Sequence, residues 1–257
     1  MKPSKLPRPH YRGHGVEIYV GDAVEVLRAL PGESFDALVT DPPYSSGGLH
    51  AGDRARPVGQ KYCNHDKGRR FANADFAGDH RDQRSHLAWS IVWLSIAVRR
   101  LRPSSYAMLF SDWRQLPLTT DALQGGGLHW RGIVAWNKRN GRPAHRGYLR
   151  PQCEYIAWAT LGKCPKPDDR GPWPGYLEHT VYSMGKNHPT AKPLPLMIEV
   201  VAPVCLGGRV LDPFAGGGAT LAACVATGRS AVGIELSAEY ADAAADLVEA
   251  TARAGAA

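Results

Sequence analysis

No stretch of this 257-residue chain approaches the roughly 18 consecutive apolar residues that a membrane-spanning helix needs. Cysteine is scarce and scattered. The five present (Cys63, Cys153, Cys164, Cys205, Cys224) are odd in number and contain no Cys-x-x-Cys pair, which supports neither a disulfide framework nor a zinc site. The first fifteen residues lack the apolar centre of a signal peptide. They are basic and proline-bearing, and read as a flexible arm (1–15) ahead of a single domain (16–257) in a cytoplasmic protein. Internal repeats and low-complexity tracts are also missing, although the last twenty residues are alanine-rich. Acidic residues are outnumbered, 24 against 31 Lys and Arg, for a net charge of +7. That balance is a general pointer to a polyanionic partner, and the placement of the charge matters more than its total.

What is present is an ordinary soluble composition, 44% hydrophobic and 21% charged, in a pattern of alternating strands and helices. Short apolar, β-branched runs predict strands at 16–20, 35–40, 106–110, 133–136, 155–159, 209–211 and 230–234. Helical spacing predicts helices at 23–30, 86–101, 194–204, from the glycine turn to 226, and 238–253. Residues 45–85 show no persistent periodicity and read as a long loop, and 164–188 are irregular and rich in proline and glycine. The alternation argues for an α/β fold with a mostly parallel, doubly wound sheet.

Two local motifs carry chemistry. The first, 212–220, reads Asp-Pro-Phe-Ala-Gly-Gly-Gly-Ala-Thr and joins a strand to a helix. Glycines there permit positive φ and close ligand approach, and the helix amides beyond them can receive a carboxylate or phosphate. Seventeen residues after Gly218, Glu235 closes the next strand, the spacing at which nucleotide-binding sheets grip ribose hydroxyls. No Gly-Lys-Ser/Thr follows and Phe214 is atypical of a pyrophosphate loop, so a nucleoside without phosphates fits better. The second motif, Asp41-Pro42-Pro43-Tyr44, follows a buried strand at the sheet edge where α/β ligands bind. Asp41 and the Pro42 carbonyl can both accept hydrogen bonds from one amino group, and Tyr44 offers a face for stacking a planar base.

With Gly21-Asp22, the tetrapeptide 41–44, His188-Pro189-Thr190-Ala191-Lys192-Pro193, and 212–220 with Glu235, the chain resembles the amino-methylating DNA methyltransferases of the permuted β group, from Val16 to Leu247. The resemblance implies a Rossmann-like, seven-stranded methyltransferase sheet, circularly permuted and with inserted loops. It begins at what is usually the third strand. It implies S-adenosylmethionine as cofactor and S-adenosylhomocysteine as product, with the target base flipped and held by Asp41, Pro42, Pro43 and Tyr44. Asp212, Phe214, Gly216 and Gly218 then lie against the cofactor, with Glu235 on its ribose and Asp22 on its adenine amino group. His188, Thr190 and Lys192 lie near its methionine moiety. Gly217 and Ala219 depart from the Ser and Thr usual in the family, while Thr220 is retained, which implies an altered fit to the cofactor carboxylate. The family is bacterial or phage-encoded and works on the nucleoid; dimers are common in it, and no interface is readable here.

An aspartate at position 41 favours adenine N6 over cytosine N4, the runner-up; a DNA-binding protein on an inactive scaffold of this kind is the alternative of a different class. Residues 131–150 hold Arg131, Lys138, Arg139, Arg142, Arg146 and Arg150 without one acid, interleaved with Trp130, Trp136 and Tyr148. Such a stretch can track the phosphates of double-stranded DNA, and Lys138, Arg139, Arg142, Arg146 and Arg150 are its candidate contacts. The 45–85 loop holds eight Lys/Arg against five Asp, and could close over the base. Cys63, His65 and His80 lie in that loop without a second pair at ligand spacing, so no metal is expected. Target recognition would fall to the short 164–188 insert together with that loop.

Overall fold

The computed structural model describes residues 5–44, 82–139, 146–147, 149–165, 170–180 and 192–255. The elements in chain order are β1 (Tyr11–Gly13), β2 (Val16–Val20), α1 (Ala23–Ala29), β3 (Phe35–Thr40), α2 (Gln83–Val98), β4 (Leu101–Ser111), α3 (Leu116–Gly125), β5 (His129–Asn137), β6 (Cys153–Thr160), β7 (Tyr176–Glu178), α4 (Leu194–Val201), β8 (Arg209–Asp212), α5 (Ala219–Ala226), β9 (Ser230–Glu235) and α6 (Ala238–Gly255). All strands join one sheet in the order β1-β2-β9-β8-β3-β4-β6-β5-β7. The C-terminal strands β8 and β9 thus slot between β2 and β3, the insertion that a permuted chain requires. From β2 to β4 the neighbours run parallel, and β6 is antiparallel to both β4 and β5.

Helices cover both faces. On one, Leu196 and Val200 of α4, Leu221 and Cys224 of α5, and Ala241, Ala244 and Val248 of α6 pack on Ile18, Ala37, Val39, Phe110 and Val210. On the other, Val26 and Leu27 of α1, Trp93, Leu94 and Ala97 of α2, and Ala122 and Leu123 of α3 pack on Tyr19, Leu38, Leu109, Leu211 and Ile234. Successive strand residues point to opposite faces. With both faces covered, β3 buries nearly every side chain, which is why it reads as a continuous apolar run and not an alternating one.

The structure corrects several boundaries. Two three-residue strands extend the expected seven to nine. β1 pairs with β2 and takes residues 11–13 out of the flexible arm; Tyr11 donates to Glu249 of α6 at 2.8 Å. β7 pairs with β5 inside the 164–188 segment. Helix α2 begins earlier than expected, at Gln83, because the Asp82 carboxylate accepts the Ser85 amide at 2.9 Å; the expected loop from 45 to 81 lies outside the described residues. That helix stops at Val98, and Leu101 already belongs to β4, opposite Phe35. β4 is longer than its apolar centre because a register shift and the positive φ of Ser104 (64°) absorb Arg102 and Pro103. Helix α3 was not anticipated. Among the described residues, no helix is long and apolar enough to cross a membrane.

Gly218 ties the glycine turn to the helical layer. Its φ is +83°, and a Cβ there would lie 2.7 Å from Ala244 Cβ and 2.8 Å from Ala244 Cα in α6. Gly218→Ala is therefore expected to destabilise the fold by about 2–4 kcal/mol, from left-handed strain plus overpacking. Urea unfolding of the variant against wild type measures this; a loss below about 0.5 kcal/mol would show that α6 yields freely.

Candidate active site

Parallel pairing brings four strand ends to one edge. Val20 of β2 stands opposite Glu235 of β9, and the ladder continues as Gly21 N donates to Glu235 O at 2.9 Å. Asp22 therefore sits beside Glu235, and its Oδ1 caps α1 by accepting from Val24 N at 2.9 Å and Glu25 N at 3.1 Å. Asp212 stands opposite Gly233, and Leu38 opposite Leu211, which carries Thr40 to Asp212.

The glycine turn wraps around a buried acid. Asp212 is 2% exposed, and its Oδ1 accepts from Thr40 Oγ1 at 2.6 Å and from Phe214 N at 3.1 Å. Burial raises its pKa from 3.8 to about 6, against the lowering effect of hydrogen bonds from Thr220, Thr40 and Phe214 N. Asp212, expected against the cofactor, turns its carboxylate inward onto Thr40 and the Phe214 amide and shapes the turn. The outer wall belongs to Glu235 and Gly216. Glu235 Oε2 accepts Gly216 N and Oε1 accepts Ser237 N, each at 2.9 Å, and burial raises the carboxyl's pKa. Gly216 adopts φ +51°, and among the described residues nothing comes within 4 Å of where a Cβ would sit, so the turn opens onto space that those residues leave free. The Phe214 ring stands edge-on to Trp93 at 5.0 Å and tilted against Trp89 at 5.5 Å, two aromatics of α2 that the sequence did not single out.

Beside this cradle, Asp41 follows β3 directly. Its Oδ1 accepts the Tyr44 hydroxyl and its Oδ2 the Lys192 ammonium. Burial, then Asp41 and Glu154, push the Tyr44 phenol well above its ordinary range, so it stays neutral. Lys192 Nζ also lies 5.0 Å from the Phe110 ring and 5.8 Å from that of Tyr44. Thus Asp41, Tyr44 and Lys192, separate in sequence, form one cluster, and it includes Glu154, which sequence reasoning missed. The available signal was one acid in the otherwise apolar and aromatic strand Cys153–Thr160.

The basic stretch is divided. Trp136 is buried and donates from Nε1 to His179 O at 2.9 Å, and Lys138 turns inward to Glu154. Arg131 donates to Thr160 Oγ1 at 3.0 Å and to Gly162 O at 2.8 Å. Arg139 pairs with Glu178 at 2.9 Å across an exposed surface, while Arg146 and Arg150 are exposed. Arg142, His188 and Thr190 lie outside the described residues, as do Cys63, His65 and His80.

The sequence pattern of the N6/N4 DNA methylases, described as DNA methylase, matches residues 35–246. The chain belongs to this family. The Escherichia coli (strain K12) protein YubD, which carries a methylase name, is 31% identical over 232 residues, covering 86% of this chain and 84% of YubD. The type II methyltransferase M2.DpnII of Streptococcus pneumoniae is 25% identical, covering 91% of this chain and 90% of its own. Among solved folds, PvuII DNA methyltransferase (cytosine-N4-specific) superposes with a TM-score of 0.70 at 14% identity, covering 97% of this chain and 96% of its own. The M1.HpyAVI–SAM complex does so with 0.64 at 23%, covering 91% and 98%. These two likenesses establish the Rossmann-like methyltransferase fold of this DNA methylase.

Asp212 generates a prediction. Its folded pKa lies above the unfolded value, so the folded state binds more protons between pH 3.8 and 6, and stability falls as pH rises through that window. Asp212→Asn preserves an acceptor without the charge. Relative to wild type it should gain about 2–3 kcal/mol between pH 4 and pH 7. Urea unfolding at both pH values checks this, and a pH-independent difference would contradict the buried-charge account.

Proposed function

We propose that this DNA methylase transfers a methyl group from S-adenosylmethionine to the N6 amino group of adenine in double-stranded DNA, releasing S-adenosylhomocysteine. The observation that carries the reading is the Asp41 carboxylate, joined to the Tyr44 hydroxyl at the end of β3. It stands on the same sheet edge as the glycine turn, since Thr40, the residue before it, bonds to Asp212.

The residues at the turn fit this cofactor. Among the described residues the space at Gly216 is open, and residues 212–220 include no lysine or arginine for a phosphate. Glu235 accepts the Gly216 amide on one oxygen and the Ser237 amide on the other, and a carboxylate with about four lone-pair sites can accept a ribose hydroxyl as well. In this reading Glu235 holds the ribose, Asp22 the adenine amino group, and Phe214, Gly216 and Gly218 line the nucleoside. Residues 188–193, with His188, Thr190 and Lys192, lie toward the methionine portion. Bound there, the cofactor supplies an electrophilic methyl group on a sulfonium sulfur.

The amino nitrogen of adenine is a poor nucleophile because its lone pair is delocalised into the ring. Asp41 and the Pro42 carbonyl each accept one amino hydrogen, draw the nitrogen toward tetrahedral geometry and localise the pair. Pro43 stiffens this acceptor pair, and Asp41 takes the proton that the nitrogen sheds once it carries the methyl group. Catalysis is thus positioning and electrostatics, without a covalent enzyme intermediate. Flipping the base out of the duplex costs a few kcal/mol, and stacking on the neutral Tyr44 ring offsets about 1–3 kcal/mol of it. Arg139, Arg146 and Arg150 meet phosphates, with Arg142 on the same stretch. The exposed Arg139–Glu178 pair exchanges readily, because solvent and salt screen it. Lys138 serves DNA only after leaving Glu154.

Methyl-labelled S-adenosylmethionine and unmethylated duplex DNA, followed by mass spectrometry of the nucleosides, test the reading. N6-methyladenine is expected, with turnover reduced about 10²–10³-fold in Asp41→Ala. N4-methylcytosine would overturn the choice of base, and no modified base would favour the inactive DNA-binding scaffold. Separately, Glu235→Ala should weaken cofactor binding about tenfold or more in calorimetry without DNA, the loss of a charged hydrogen-bonding partner.

A further inference from the structure

Four charged side chains from four parts of the chain converge behind Tyr44. Asp41 ends β3, Lys138 follows β5, Glu154 lies on β6, and Lys192 leads into α4. Both Asp41 oxygens are engaged, one by the Tyr44 hydroxyl and the other by the Lys192 ammonium. That ammonium is a hydrogen-bond donor on the acceptor acid and faces the Tyr44 ring. It therefore occupies the kind of position that an incoming amino group needs. Glu154 offers it another. Glu154 Oε1 accepts from Lys138, while Oε2 is buried and lacks a hydrogen bond among the described residues. That oxygen already lies within ion-pair reach of Lys192 Nζ, at 3.5 Å.

We propose that Glu154 is a positioning residue that draws Lys192 off Asp41 when the target amino group arrives, so that the ammonium passes from Asp41 Oδ2 to Glu154 Oε2. The proposal rests on the amino-methylating reading of Asp41. Two carboxylates and two ammonium groups make the cluster neutral before and after the exchange. After the exchange both ammonium groups stand on Glu154, and Asp41 is held by hydrogen bonds from the neutral amino group and the Tyr44 hydroxyl in place of an ammonium. Without a charged Glu154, Lys192 could leave Asp41 only as an uncompensated buried cation, which is strongly disfavoured. The protonation directions agree. Burial raises the Glu154 carboxyl, but Lys192 and Lys138 outweigh it and hold the group below its ordinary range. Burial lowers the Lys192 amine, but Asp41 and Glu154 outweigh it and hold the group above its ordinary range. Both partners of the exchange are thus charged at neutral pH. Lys138 has a structural part here, pinning Glu154 from the side away from Lys192, which explains why this cation of the basic stretch points inward.

The test compares wild type, Glu154→Gln and Glu154→Asp on unmethylated genomic DNA with S-adenosylmethionine. Wild-type turnover is read first: no methyl transfer to any DNA base would overturn the amino-methylating reading itself, and this proposal with it. Given an active wild type, Glu154→Gln should lower kcat about 10²-fold. Its KM for DNA and its calorimetric Kd for S-adenosylmethionine should stay within about threefold, the signature of an interaction used only after binding. Glu154→Asp keeps the charge at shorter reach, and should recover about tenfold of the lost kcat while staying below wild type. Equal losses in both variants, an unchanged kcat, or losses confined to KM and Kd would each overturn the proposal while leaving the methylase reading intact. Should Glu154→Gln fail to fold, Glu154→Asp decides alone: a lower kcat at constant KM supports the exchange, and an unchanged kcat overturns it.

Discussion

Leu38 of β3 stands opposite Leu211 of β8, and two residues further on Thr40 donates to the buried carboxylate of Asp212. Through this contact, residues 172 positions apart share one sheet edge, and Asp41 is held in register with the glycine turn. The rest of the site follows from the same pairing. Asp41 comes next after Thr40, Phe214 N bonds to the same Asp212 oxygen, and Gly216 hangs from Glu235 on the adjacent strand. A hydrogen bond to a buried carboxylate is a strong tether, because losing it leaves a charged group without a partner in a poor solvent. The insertion of β8 and β9 between β2 and β3 is what makes the contact available.

Beyond this tether the site is governed by charge compensation. Asp212 is buried with hydroxyls and an amide but no cation, and burial prevails, so its pKa rises. Glu154 is buried as well but faces two lysines, and the lysines prevail, so its pKa falls. The difference lies in the partners and not in the depth. It also divides the basic stretch, since a cation able to reach a buried acid goes inward and the others remain on the surface. A run of positive charge is therefore not a uniform surface for a polyanion.

Much of the fold was legible locally. β3 announced itself as a continuous apolar run because it is buried on both faces, and α6 through its apolar spacing. The misplaced elements have physical reasons. α3 carries Pro117, paired threonines and a terminal glycine run, so its helical period is weak; Pro117 is tolerated because first-turn amides have no intrahelical partner. β4 extends past its apolar centre because Phe35 gives Leu101 a partner. β1 and β7 are three residues each, too short to show any period, and exist only because the edges of β2 and β5 offer unpaired backbone groups.

The residue patterns that the proposed chemistry uses were all local: Asp41 with its prolines and tyrosine, the glycine turn with its distal acid, and the order in which they occur. Those features depend on residue type and short spacing, which one strand–turn unit expresses without help from the rest of the chain. Which charges meet depends instead on the folded arrangement of the strands. Lys192 on Asp41, Lys138 on Glu154 and Thr40 on Asp212 join residues 151, 16 and 172 positions apart. Such pairings are selected by strand order and burial, since a buried ion must find whichever opposite charge the fold brings within reach, and no local pattern encodes that choice.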